Sequence, residues 1–331
     1  MDENAFFKAI REGALRGAYL LHGEEDYSKE RAVRQCMALA GEAAREMNVQ
    51  QMKAPAADAV IAACETLPFF DRLRIIVVQE LSAEEEARLA PYAKKVPESA
   101  LLLVVRRGLA LKTGALFKAL EPEGRVVEFP RCDQGRAVAF LAKRAGEFGA
   151  LLDRSTAVHL ADVAGLDMAA LENALLKLAA YVGPGRPITR EAIAACITPS
   201  PEYSVFQILE CLVAGNLRQG LAMLQSELRS GGQSSLQVAS FLEGRARQML
   251  AARQMLARRL PEQQIIRALG GSPYAAKKTV AAARRCAMER LETAVVAFAG
   301  VDAQLKQGLL REDDALLLAI YRSFSGGLQA T

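Results

Sequence analysis

Tryptophan is absent from this chain, histidine occurs twice, and aromatic residues make up only 6% of it. So thin an aromatic content, set against abundant Ala and Leu, points to a largely helical protein. With His22 and His159 alone, a His-based metal centre is disfavoured, and neither ring has a Cys or Ser beside it that reads as a nucleophile. The six cysteines, Cys36, Cys64, Cys132, Cys196, Cys211 and Cys286, form no C-x-x-C pair, which argues against a zinc knuckle and a disulfide framework. No apolar run approaches the length that spans a bilayer, and the opening Met1-Asp-Glu-Asn4 lacks the basic and apolar regions of a signal peptide. A cytoplasmic protein without metal or cofactor is expected, and no set of catalytic carboxylates stands out.

What is present divides along the chain. At 331 residues, two or three domains are expected. Up to about residue 138, short apolar runs alternate with helical stretches. Ala18–His22, Met47–Met52, Leu73–Gln79, Ala100–Val105 and Arg125–Phe129 read as strands, with helices over Ser28–Ala44, Asp58–Glu65, Ser82–Tyr92 and Lys112–Leu120. Such alternation predicts a buried parallel sheet covered on both faces. After Pro130 the strand signals stop. A small helical domain over 139–202 and an all-helical domain over 203–331 are expected, the boundary marked by Thr198-Pro-Ser-Pro201.

The first strand runs into Gly23-Glu-Glu-Asp-Tyr-Ser-Lys-Glu30, which has the layout of a phosphate-binding loop, G-x-x-x-x-G-K-[ST], without its chemistry. Gly23 and Lys29 stand at the right separation. Ser28 replaces the second glycine, and Glu30 replaces the hydroxyl that would hold Mg²⁺. Glu24, Glu25 and Asp26 add negative charge where a triphosphate would lie. The third strand ends at Gln79-Glu80, where a P-loop ATPase carries an Asp-Glu pair, so that the Asp is missing and the Glu remains. A glycine turn after a buried strand also has a plain packing use. Two eroded motifs in the expected order favour a nucleotide switch that has lost its nucleotide.

Thr66-Leu-Pro-Phe-Phe-Asp-Arg72 is an oddity of another kind: a loop with three large apolar side chains, Leu67, Phe69 and Phe70. Either the rings plug the underside of the sheet, or they insert into a partner. From Arg245 to Arg290, eleven Lys or Arg stand against Glu262 and Glu289, although the whole chain carries a net charge of only +4. Arg245, Arg247, Arg253, Lys277 and Lys278 are therefore candidates to face DNA, with a solvated helical face as the other reading.

Tyr19-Leu-Leu-His-Gly-Glu-Glu-Asp-Tyr27, Leu67–Val78, Leu171-Glu-Asn-Ala-Leu-Leu-Lys-Leu178, Val205-Phe-Gln-Ile208, Gly215-Asn216 and Arg245-Ala-Arg-Gln-Met-Leu250 carry a resemblance across almost the whole chain. In that order they resemble the delta family of bacterial clamp-loader subunits, of the AAA+ class. The resemblance implies an AAA+/RecA-like α/β domain, a helical lid and an all-α collar. It also implies a part that grips the beta sliding clamp and opens it without hydrolysing ATP, with Leu67, Phe69 and Phe70 at the clamp. Its implied partners are delta prime, gamma/tau and primer–template DNA. Three rivals stay open: an active P-loop ATPase using Lys29, a helical DNA-binding regulator, and the delta prime family. The last carries zinc-binding cysteines and a Ser-Arg-Cys motif that this sequence lacks.

Overall fold

The computed structural model describes residues 1–42, 45–229, 233–270, 273–308 and 310–325, and it divides into two compact units, Met1–Cys132 and Asp133–Thr331. The first unit runs α1 (Glu3–Arg11), β1 (Gly17–His22), α2 (Asp26–Met37), α3 (Arg45–Asn48), β2 (Val49–Lys53) and α4 (Ala57–Glu65). It continues with β3 (Arg74–Gln79), α5 (Ala83–Ala93), β4 (Ala100–Val105), α6 (Ala115–Leu120) and β5 (Val126–Glu128).

The strands pair in the order β2-β3-β4-β1-β5, every pairing parallel. Residues in β1, β3 and β4 send alternate side chains to opposite faces, as the twofold period of a strand requires. Leu20, Ile76, Val78, Leu102 and Val104 pack under α4, α5 and α6 with Val60, Leu89 and Leu116. On the other face Leu21, Ile75, Val77, Leu101 and Leu103 meet Phe6, Ile10 and Val33 of α1 and α2. With both faces covered, the central strands are continuously apolar, which is why they were conspicuous in the sequence.

Three helices departed from expectation: α1, α2, which stops at Met37 rather than Ala44, and α3, which takes Met47 and Asn48 from the expected strand Met47–Met52. Helix α1 was unforeseen, although Asp2 accepts a hydrogen bond from the Ala5 N–H and caps it. Helix α2 begins at Asp26 rather than at Ser28, which is buried in the first turn and caps nothing. Asp26 reaches Lys29 one turn later, and its charge suits a helix N-terminus.

The second unit contains α7 (Gln134–Glu147), α8 (Arg154–Ala164), α9 (Met168–Val182), α10 (Arg190–Cys196) and α11 (Pro201–Val213). After these come α12 (Leu217–Arg229), α13 (Ser235–Ala257), α14 (Glu262–Leu269), α15 (Pro273–Arg285), α16 (Met288–Lys306) and α17 (Glu312–Phe324). Asp133, Asp153, Asp167, Thr189 and Ser200 each cap the helix that follows. Ser234 and Gln237 form a full capping box at α13. Val205, Leu209, Leu242, Met249, Phe298, Leu316 and Ile320 share the core of α11–α17. The cut between units falls ahead of α7, a few residues before 138. Among the described residues, no helix is long and apolar enough to cross a membrane.

Candidate functional site

The turn after β1 is built on Gly23, whose φ of +122° is a conformation that L side chains rarely adopt. A Cβ here would lie 2.1 Å from the Phe129 carbonyl oxygen. The Gly23 N–H donates to the Gly108 carbonyl at 2.7 Å, and the Glu25 N–H donates to that of Phe129 at 3.1 Å. These two loop N–H groups thus already serve the chain's own carbonyls, whereas a phosphate loop turns such groups toward its ligand.

Lys29 completes the closure. Its side chain is 2% exposed. Nζ donates to the Gly23 carbonyl at 2.7 Å and to the Arg106 carbonyl at 2.9 Å, and it stands 2.7 Å from Asp26 Oδ1. An ammonium has three N–H donors, and here each has a partner. A buried charge is tolerable only when paired and hydrogen-bonded in this way. Ser28 lies buried beside it, while Glu30 faces solvent. Next door, His22 Nδ1 accepts from the Ala110 N–H at 3.3 Å, and burial lowers the imidazole pKa.

At the end of β3 the Gln79 carbonyl accepts from the Ala54 N–H at 2.8 Å. Glu80 follows in the left-handed region at φ +58°, its Oε1 3.4 Å from Lys53 Nζ and 3.9 Å from an Arg107 guanidinium nitrogen. The remaining carboxylate is therefore shared between two surface cations. Among the described residues, no three His, Cys, Asp or Glu side chains come together as metal ligands would.

Between α4 and β3 the loop carries its apolar side chains outward. Leu67 is 77% exposed, Phe69 49% and Phe70 91%. The two rings meet edge to face, with centroids 4.5 Å apart and an 84° angle between planes. The reading in which they plug the underside of the sheet is overturned by this exposure. Backbone and side chains nearby brace the loop. Asn48 bonds both backbone groups of Phe69, and the Asp71 carboxylate accepts from the Gly41 and Arg72 N–H groups at 2.8 and 2.6 Å. The Arg74 guanidinium donates to the Ala63 and Met47 carbonyls and to Gln50 Oε1.

The basic candidates are dispersed. Arg245 on α13 is half-buried over the Phe206 ring at 5.7 Å, and burial lowers its pKa. Lys278 on α15 stands 5.8 Å from the same ring and 5.9 Å from that of Tyr203. Arg247 pairs with Glu243 one turn away, Arg253 is half-buried, and Lys277 is exposed. Of the five, Arg245 and Lys278 thus share the Phe206 ring.

Two residues of the loop's surroundings escaped the sequence reading. Met47 is 55% exposed beside the loop, and Asn48 is fully buried beneath it. In the sequence both fall within the expected strand Met47–Met52, and nothing there marks Asn48 as a brace for a distant loop.

The family model of "DNA polymerase III, delta subunit" matches residues 19–130, and that of its C-terminal domain matches residues 202–323. Together they span more than half of the chain. The chain belongs to the DNA polymerase III delta subunit family. A delta relative, the DNA polymerase III subunit delta of Bacillus subtilis (strain 168), is 19% identical over 330 residues, covering 95% of this chain and 94% of its own. The solved structure of the Bacillus subtilis DNA clamp loader delta protein (YqeN) matches with a TM-score of 0.67 at 17% identity. That match covers 98% of this chain and 99% of the other. At that identity the likeness establishes the delta fold, from the parallel sheet through the helical C-terminal region.

Proposed function

We propose that this delta-family chain grips the beta sliding clamp through Leu67, Phe69 and Phe70 and opens the ring for loading onto primed DNA, without hydrolysing ATP itself. The observation that carries this reading is the pair of exposed, mutually packed rings on a braced loop. Water-exposed aromatic side chains gain most when a partner pocket removes them from solvent, and single interface residues of this kind contribute about 2 kcal/mol or more. The opening needs no chemistry in this chain. A binder shifts an equilibrium by its differential affinity, so a loop that fits the relaxed ring better than the closed one drives opening by binding alone.

The closed phosphate loop supports the second half of the reading. Lys29 has its donors occupied, and Gln79-Glu80 offers a carboxylate already shared between Lys53 and Arg107. Control by nucleotide then falls to other subunits, gamma/tau and delta prime, held through α11–α17 as a collar, with α7–α10 as a lid. Contact with primer–template DNA belongs to the assembled loader. Its best candidate here is Lys277, because Arg245, Arg247 and Lys278 already have partners within the fold. Polymerase chemistry is a property of the holoenzyme and not of this chain.

The test is co-purification with purified clamp, delta prime and gamma/tau, with and without ATP. The reading predicts that the chain alone captures clamp without nucleotide and that assembly makes capture ATP-dependent. Failure of the isolated chain to capture clamp under any condition contradicts it.

A further inference from the structure

Beneath the exposed rings lies a polar side chain with no solvent contact. Asn48, the last residue of α3, is 0% exposed. Its Nδ2 donates to the Phe69 carbonyl at 2.8 Å, and its Oδ1 accepts from the Phe69 N–H at 2.7 Å. One primary amide thereby satisfies both backbone groups of one residue, as a neighbouring strand would. Such two-point attachment fixes the peptide planes on either side of Phe69 and hence the direction in which its Cβ leaves the chain.

The next residue shows what this restraint sustains. Phe70 has φ +47°, a conformation that a bulky L residue holds only where its surroundings impose it. Asn48 fixes the chain ahead of Phe70, and the Asp71 carboxylate, held by Gly41, fixes it behind. Between these two anchors both rings project into solvent. A rigid backbone under exposed apolar side chains is the arrangement of a preorganised binding element, which loses little freedom on meeting its partner.

We infer that Asn48 is the positioning residue of the clamp-gripping loop: it touches no partner and holds Phe69 and Phe70 in the geometry that does. This inference rests on the proposed clamp contact of those rings.

The experiment compares the full-length chain with Asn48→Ala, Asn48→Asp and the double variant Phe69→Ala/Phe70→Ala. Readouts are affinity for purified beta clamp, co-purification with the other loader subunits, and hydrogen exchange across residues 66–72. Asn48→Asp keeps the acceptor for the Phe69 N–H and turns an oxygen toward the Phe69 carbonyl. Both Asn48 variants are expected to weaken clamp binding about tenfold or more, with faster exchange over 66–72 and unchanged loader assembly. Wild-type affinity in both, while the double variant loses binding, overturns the role of Asn48 and spares the clamp reading. Full binding by the double variant removes the clamp reading itself. Loss of loader assembly in step with clamp binding marks Asn48 as merely structural and also overturns the inference. If neither Asn48 variant folds, the unaltered chain decides. A Phe69 amide exchanging about a hundredfold more slowly than an unstructured one supports the inference, and one exchanging at the unstructured rate overturns it.

Discussion

The Lys29 ammonium lies 2.7 Å from the Gly23 carbonyl oxygen, so the two most recognisable residues of the phosphate-loop pattern are bonded to each other. Arg106 and Asp26 take the remaining N–H groups. A lysine kept for binding phosphate would be dispensable to the empty fold, and one kept as an internal brace would not.

Lys29→Met tests this directly. The substitution leaves the buried Gly23 carbonyl and the part-buried Arg106 carbonyl without their donor and an aspartate without its partner. Unsatisfied buried groups of this kind cost roughly 1–3 kcal/mol each, and a loss of about 2–4 kcal/mol is expected. Urea unfolding reads it as a lower midpoint with an unchanged slope.

Nucleotide addition gives the complementary result. A ligand at a hundred times its dissociation constant stabilises a protein by about 2.7 kcal/mol, enough to raise the unfolding temperature by several degrees. Millimolar ATP with Mg²⁺ is expected to leave the unfolding temperature of the isolated chain unchanged. A saturable rise would revive the rival reading of an active ATPase.

Gly23→Ala places a methyl 2.1 Å from the Phe129 carbonyl and demands φ +122° of a residue that avoids it. A destabilisation of about 2 kcal/mol or more is expected, visible in the same urea titration. Gly108→Ala makes the control, since its φ is +66° but nothing lies within 4 Å of the added atom.

Much of this architecture was legible in the residue order, for a physical reason. Runs such as Leu101-Leu-Leu-Val-Val105 are continuous because both faces of the strand are covered, and a helix such as Met168–Val182 announces itself by spacing, an Asp167 cap and Gly183. Less legible was whatever depends on contacts distant in sequence. Whether Phe69 and Phe70 point in or out is decided by Asn48, 21 positions away from Phe69, and by Asp71 reaching back to Gly41. The fate of Lys29 depends on the Arg106 carbonyl, 77 positions away. Within the basic block, Arg245 and Lys278 pack on Phe206 and Arg284 pairs with Glu262, contacts that composition alone does not reveal.

Asp162 on α8 supplies a pH prediction. Burial pushes its carboxyl up to about 6, against the opposing influence of Lys278 and a 2.9 Å hydrogen bond from Gln134. The unfolded carboxyl titrates near 3.9, so between about pH 4 and 6 the folded state binds the extra proton. This group therefore adds stability at low pH that is lost as pH rises through about 6. Asp162→Asn is expected to flatten stability across that window and to raise it above pH 6. Urea midpoints measured from pH 4 to 7.5 provide the check, and a steeper slope in the variant would contradict the assignment.

The measurement that bears most directly on the whole account is the affinity of Phe69→Ala/Phe70→Ala for purified beta clamp, taken alongside its unfolding midpoint. Because the rings are exposed, the account predicts unchanged stability, intact association with the other loader subunits, and clamp affinity reduced about a hundredfold or more. Clamp binding as tight as that of the unaltered chain would contradict it.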